Sequence, residues 1–141
     1  MNVKEPLWKQ LKEEVAEDFS LLSLKEFHEH SSICYLVTGE TLGSGEAELG
    51  QELMTDYFTT MVNQRFFPEY IILLHSAVKL LRRESPLYAV LMELENSGTA
   101  VLASAVSVAY YHLEGEIDAL FPAQTGRLLQ ILHSVDKVIT L

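Results

Sequence analysis

The chain reads as an α/β protein: three α/β/α layers with a mostly parallel sheet of about five strands. Three observations predict this. Short apolar runs alternate along the chain with amphipathic stretches of helical spacing, the pattern of successive βαβ units. The runs are continuously apolar rather than alternating, as expected of strands covered on both faces. The 141 residues are 48% hydrophobic and 21% charged, enough for one domain with a real core. That apolar fraction is high for so small a chain and predicts some apolar surface covered between subunits.

Residues 1–30 read as an acidic, helical extension, and residues 31–141 as the α/β domain. In the extension Trp8, Leu11, Val15 and Phe19 fall on one helical stripe. Pro6 suits a first helical turn, and Ser23 with Glu26 fits a capping box. His28 and His30 stand two apart, which points them away from each other on a helix and makes a poor metal pair. Residues 32–38 (S-I-C-Y-L-V-T) are the first strand. A glycine loop, G-E-T-L-G-S-G at 39–45, leads into a helix over 46–62 whose stripe is Leu49, Leu53, Met54, Tyr57, Phe58 and Met61. Such a loop can hold an anion on free backbone N–H groups. Its spacing matches neither a dinucleotide fingerprint nor a P-loop, and Glu46 and Glu48 would repel a phosphate. The reading taken is Ser44 or Gly45 as a helix cap.

Residues 70–75 (Y-I-I-L-L-H) form the second strand, followed by a short, partly basic helical turn over 76–83. Ser85-Pro86 begins a helix with core stripe Leu87, Val90, Leu91 and Leu94, and Gly98 ends it. Residues 99–103 are the third strand, 104–106 a turn, and 107–111 a helical start. A short strand near 119–121 follows an acidic loop. A last helix over 125–135 turns Leu128, Leu129, Leu132 and Val135 inward, and K-V-I-T-L at 137–141 closes the sheet.

The stretch 99–113 holds no charged residue and organises the rest. In open α/β sheets ligands sit beyond the carboxyl ends of the strands. The candidate ligand site is therefore Ser104, Ala105, Val106 and Ser107, with His75, Tyr110 and His112 within reach of the same edge. A serine nucleophile there would need a histidine and a carboxylate, which His75 or His112 could begin to supply. Neither serine sits in a G-x-S-x-G elbow.

Composition also excludes. A net charge of −10 argues against nucleic acid as a partner, since phosphate binding needs clustered cations. Lys79, Arg82 and Arg83 are the nearest to a basic patch and read as a solvated helix face. Cys34 is the single cysteine, so no intrachain disulfide forms and a reducing, cytoplasmic setting is expected. In mid-strand it reads as a small buried hydrophobe rather than a reactive thiol. No membrane span or signal peptide is expected, and neither a metal nor another cofactor is implied.

Four stretches resemble the DsrE family of sulfur-relay proteins, above all the C-terminal domain of YedF-type selenium-metabolism proteins. T-L-G-S-G-E-A-E-L-G-Q-E-L-M at 41–54 is similar to the family's T-L-G-x-G-x-x-E-L-G-x-x-L-M. S-A-V-K-L at 76–80 follows a buried strand as the family has it. S-P-L-Y-A-V-L-M-E-L-E-N-S-G at 85–98 and D-K-V-I-T-L at 136–141 resemble the family's S-P-x-x-x-x-L-x-x-L-x-x-x-G and D-K-V-I-x-L. The resemblance implies the fold, a homo-oligomer (trimer or hexamer) and a sulfur-relay partner protein. The family's working cysteine follows the third strand, often as C-G-T-C. Here that tetrad is Ser104-Ala105-Val106-Ser107. A persulfide needs sulfur, and a serine oxygen cannot carry one. The sequence thus predicts a sulfurtransferase-like domain that is non-catalytic and serves as a structural, regulatory or small-ligand-binding subunit. The alternative is a sulfurtransferase acting through Cys34 or a partner's thiol.

Overall fold

The structure, a computed structural model, describes residues 32–141. The Trp8 stripe, His28, His30 and the rest of the expected extension lie outside the described residues. In chain order the elements are β1 (Ile33–Val37), α1 (Ala47–Asn63), β2 (Tyr70–Leu73), a 3₁₀ helix (His75–Leu81), α2 (Tyr88–Asn96), β3 (Ala100–Ser104), α3 (Ala105–Tyr110), β4 (Pro122–Ala123), α4 (Thr125–Ser134) and β5 (Lys137–Thr140). The five strands form one sheet in the order β4-β3-β2-β1-β5. All four pairings are parallel.

That order explains the layering. The chain steps from β1 through β2 and β3 to β4 in one direction, then returns past β1 to place β5. With right-handed crossovers, the reversal moves the last helix to the opposite face. Accordingly α1, α2 and α3 pack on the face carrying Tyr35, Val37, Ile71, Leu73, Val101 and Ala103. The opposite face carries Cys34, Ile72 and Leu102, and Leu128 and Ile131 of α4 pack against it. Each of β1, β2 and β3 buries both faces, which is why their sequences are apolar without alternation.

The sequence motifs acquire physical reasons here. Gly50 lies buried in α1 because the Thr41-Leu42 loop crosses directly over it. A Cβ at Gly50 would stand 2.7 Å from Thr41 Cβ and 3.3 Å from the Leu42 carbonyl oxygen. The Leu42 N–H donates to the Gly50 carbonyl at 3.0 Å, which fixes the loop on the helix. Gly43 (φ 78) and Gly45 (φ 130) make the turns that bring the loop there. At the other end of the sheet Asp136 clamps β5 to β1. Its Oδ2 accepts from the Ser32 N–H at 3.0 Å, and its own N–H donates to Ser32 Oγ at 2.9 Å. Beyond the two residues of β4, the outer edge of β3 would leave the Val101 N–H bare. Glu95 Oε2 accepts it at 2.7 Å.

Several boundaries and faces differ from the sequence reading. The inward face of α1 is Gly50, Met54, Phe58 and Met61. Leu49 and Leu53 point outward, 53% and 41% exposed, because the close approach at Gly50 rotates the helix away from the most apolar arc. Leu129 is likewise outward on α4, where Leu128 and Ile131 are buried. The cap of α1 is Glu46, not Ser44 or Gly45, and no side chain caps it. Ser85 makes a turn instead of starting a helix: its Oγ accepts from the Leu87 N–H at 3.2 Å, and α2 begins at Tyr88. The short strand expected near 119–121 is instead Pro122–Ala123. It follows a turn held by the Leu120 N–H donating to Asp118 Oδ1 at 2.9 Å.

Candidate functional site

The candidate residues gather where β2 and β3 end. Strand β3 runs one residue further than expected and delivers Ser104 to the sheet edge. Ser104 is 6% exposed and caps α3: its Oγ accepts from the Ser107 N–H at 3.2 Å. This direct strand-to-helix step replaces the turn expected at 104–106. Ser107, one helical turn later, reaches across to the neighbouring strand. Its Oγ accepts from the His75 backbone N–H at 2.9 Å.

His75 does not continue β2. The strand stops at Leu73, and His75 adopts φ 56, in the left-handed region that costs a non-glycine residue energy. The bond to Ser107 secures it there. Its ring lies against Tyr111, with centroids 6.4 Å apart and Nδ1 3.5 Å from the Tyr111 hydroxyl. Lys79, one turn along the 3₁₀ helix, places its ammonium 4.4 Å from the Tyr111 ring centroid, an attractive cation–π arrangement. Tyr110 stacks edge-on to Tyr111 at 5.1 Å and is 76% exposed.

The structure therefore joins Ser104, Ser107 and His75 into one chain of hydrogen bonds, with Tyr111 and Lys79 closing the cluster. Ala105 begins α3 at half burial, while Val106 faces outward at 67% exposed. His112 is exposed and left-handed (φ 53) at the end of the same helix. The sequence pattern does not single out Tyr111, and it gives Lys79 only as part of a solvated helix face. Their meeting depends on a 3₁₀ helix and a left-handed histidine, neither of which has a sequence period to reveal it.

The arrangement narrows the chemistry. It is the His75 backbone that meets Ser107, and among the described residues no histidine ring bonds to either serine hydroxyl. A Ser–His base pair is not assembled here. The only thiol is elsewhere. Cys34 is fully buried in β1, inside the opposite face of the sheet. Burial pushes its pKa up from 9.0 to about 11, the reverse of what a nucleophilic thiol requires. Among the described residues no group of three or more His, Cys, Asp and Glu side chains could hold a metal ion. Nor is any of their helices long and apolar enough to cross a membrane.

Two solved structures share this architecture. The crystal structure of the YchN protein from E. coli gives a TM-score of 0.57 at 17% identity, covering 79% of this chain and 99% of that one. A conserved protein of unknown function from Bacteroides thetaiotaomicron gives 0.58 at 17% identity, covering 81% and 97%. The chain shares the fold of the YchN protein. At this identity the likeness is one of fold. No family model and no curated protein matches the chain.

Proposed function

We propose that this chain is a DsrE-like domain that has given up sulfur transfer and works as a structural, regulatory or small-ligand-binding subunit. The observation that carries the reading is the use made of the two serines. By the sequence resemblance Ser104 and Ser107 stand where the family has its thiols, and both hydroxyls accept backbone hydrogen bonds that tie β3 and α3 to the start of the 3₁₀ helix. The residues that would relay sulfur hold the sheet edge together instead. Burial of Cys34 counts against the alternative in which that thiol takes over the transfer.

The subunit reading includes a homo-oligomer, a trimer or pair of trimers, and a thiol-bearing relay protein as partner. The support within the chain is apolar surface at the β4 side. Val106 and Tyr110 are four apart on α3, which packs beside β4, and Leu120 just before β4 is 83% exposed. A stable interface buries about 800 Å² per partner. Light scattering at micromolar concentration is expected to give a multiple of the monomer mass, and a clean monomer would remove the assembly claim.

Thiol labelling tests the functional claim. The native chain is expected to leave Cys34 unreacted with iodoacetamide over hours at neutral pH and to react fully in denaturant. Rapid native alkylation would return the enzyme reading to first place.

A further inference from the structure

A groove that shares only Lys79 with the serine cluster lies beyond the carboxyl ends of β1 and β2. It is a cavity of about 230 Å³ between α1 and the segment that links the 3₁₀ helix to α2. Four charged side chains line it: Glu40 from the loop after β1, Lys79 from the 3₁₀ helix, and Arg82 and Glu84 from the linking segment. In open α/β sheets this is the end of the strands at which ligands bind.

The charges are not matched to one another. Among the described residues none of the four forms an ion pair with another of the four. Lys79 is held from behind by the Tyr111 ring at 4.4 Å. Arg82 forms its ion pair outside the groove: its Nε, buried and without a hydrogen bond, lies 3.8 Å from Glu116 Oε2. A guanidinium carries five donors in a planar fork suited to a carboxylate. Between the charges the wall is mixed: Gln51, Thr55 and Ser85 are polar, Pro86 is exposed, and Met54, Leu80 and Leu87 are almost wholly buried behind it.

We propose that this groove binds a small zwitterion, an α-amino acid with an aliphatic side chain. The carboxylate meets Arg82 and Lys79, the ammonium meets Glu40 and Glu84, and the side chain lies along the exposed Pro86. Two cations and two carboxylates that share one groove without pairing with one another are complementary to a ligand that carries both signs. A ligand of one sign would face like charge on one side. The cavity is smaller than the roughly 300–1,000 Å³ usual for drug-sized ligands, which suits a molecule of amino-acid size. The site shares only Lys79 with the serine cluster, so it stands whether or not the sheet edge transfers sulfur.

The test is a titration of the isotope-labelled full chain with L-leucine, followed by amide chemical shifts. Isocaproate (no ammonium) and isoamylamine (no carboxylate) are the two controls. The expected result is saturable shifts at residues 40–55 and 79–87 with L-leucine at millimolar concentration. Each control should bind at least about tenfold more weakly, as should L-leucine to Arg82→Gln, since a charge-assisted pair is lost in each case. Glu84→Gln, at an exposed position, keeps the fold and should weaken L-leucine binding without weakening isocaproate, whose carboxylate it no longer repels. No saturable shift with L-leucine overturns the proposal. Isocaproate binding as well as L-leucine overturns the zwitterion assignment, and full affinity in both variants overturns the placement.

Discussion

Replacing Ser107 by alanine removes one oxygen and leaves the His75 N–H without its acceptor at 2.9 Å. A hydrogen bond of this kind contributes about 0.5–1.5 kcal/mol net. His75 is exposed, so water can take over part of the bond. The bond also restrains a left-handed non-glycine residue, a conformation costing of order 1–3 kcal/mol that neighbours must hold in place. Against these losses, alanine is the better helix former in α3, by up to roughly 0.7 kcal/mol. The balance is a destabilisation of about 0.5–1 kcal/mol, or a fall in Tm of roughly 1–4 °C for a chain of this size. Urea unfolding measures it, with the midpoint moving and the slope unchanged. Hydrogen exchange supplies the local readout: the His75 amide should lose protection beyond the global change, because its local opening no longer breaks a bond. Ser104→Ala should cost a further ~1 kcal/mol as a lost helix cap. A Ser107→Ala protein as stable as the parent, with His75 still protected, would show that the serines do not hold the edge together.

Other outcomes follow from single contacts. Gly50→Ala should destabilise by about 1–3 kcal/mol through overpacking, despite alanine's advantage of roughly 1 kcal/mol in a helix, because its Cβ meets Thr41 at 2.7 Å; urea unfolding reads the sign directly. The Cys34 pKa, raised from 9.0 to about 11, means that the folded state resists losing this proton. Its contribution is fully present below pH 9.0 and is lost as pH rises toward about 11. The stability difference between the parent and Cys34→Ala should therefore be flat below that window and change across it. Ser104→Cys in a Cys34→Ala background should place a thiolate where the Ser107 N–H donates. Its alkylation midpoint should lie below the free-cysteine value of about 8.5, and a midpoint at or above that value would show that the edge no longer favours a thiolate.

How much of this was legible in the sequence depended on whether a structural demand leaves an apolar signature. The runs I-C-Y-L-V, Y-I-I-L and A-V-L-A-S announced three central strands because burial on both faces needs hydrophobes throughout. The short edge strand β4, with one of its two residues a proline, carried too little pattern to place. The inward face of α1 was misread because the residue that sets it, Gly50, has no side chain, whereas Leu49 and Leu53 are conspicuous and exposed. The carboxyl end of β3 was identified as the edge to watch. The partner of Ser107 was not, since the backbone N–H of His75 arrives through tertiary geometry alone.

The central claim is that the serines have replaced a sulfur-carrying edge. It meets its most direct test in sulfur loading followed by intact-mass spectrometry. The native chain is incubated with a polysulfide donor beside the Ser104→Cys, Cys34→Ala variant, and the adducts are mapped. The account predicts an unmodified parent and a persulfide on the cysteine introduced at position 104. A persulfide on Cys34 of the native parent would contradict it.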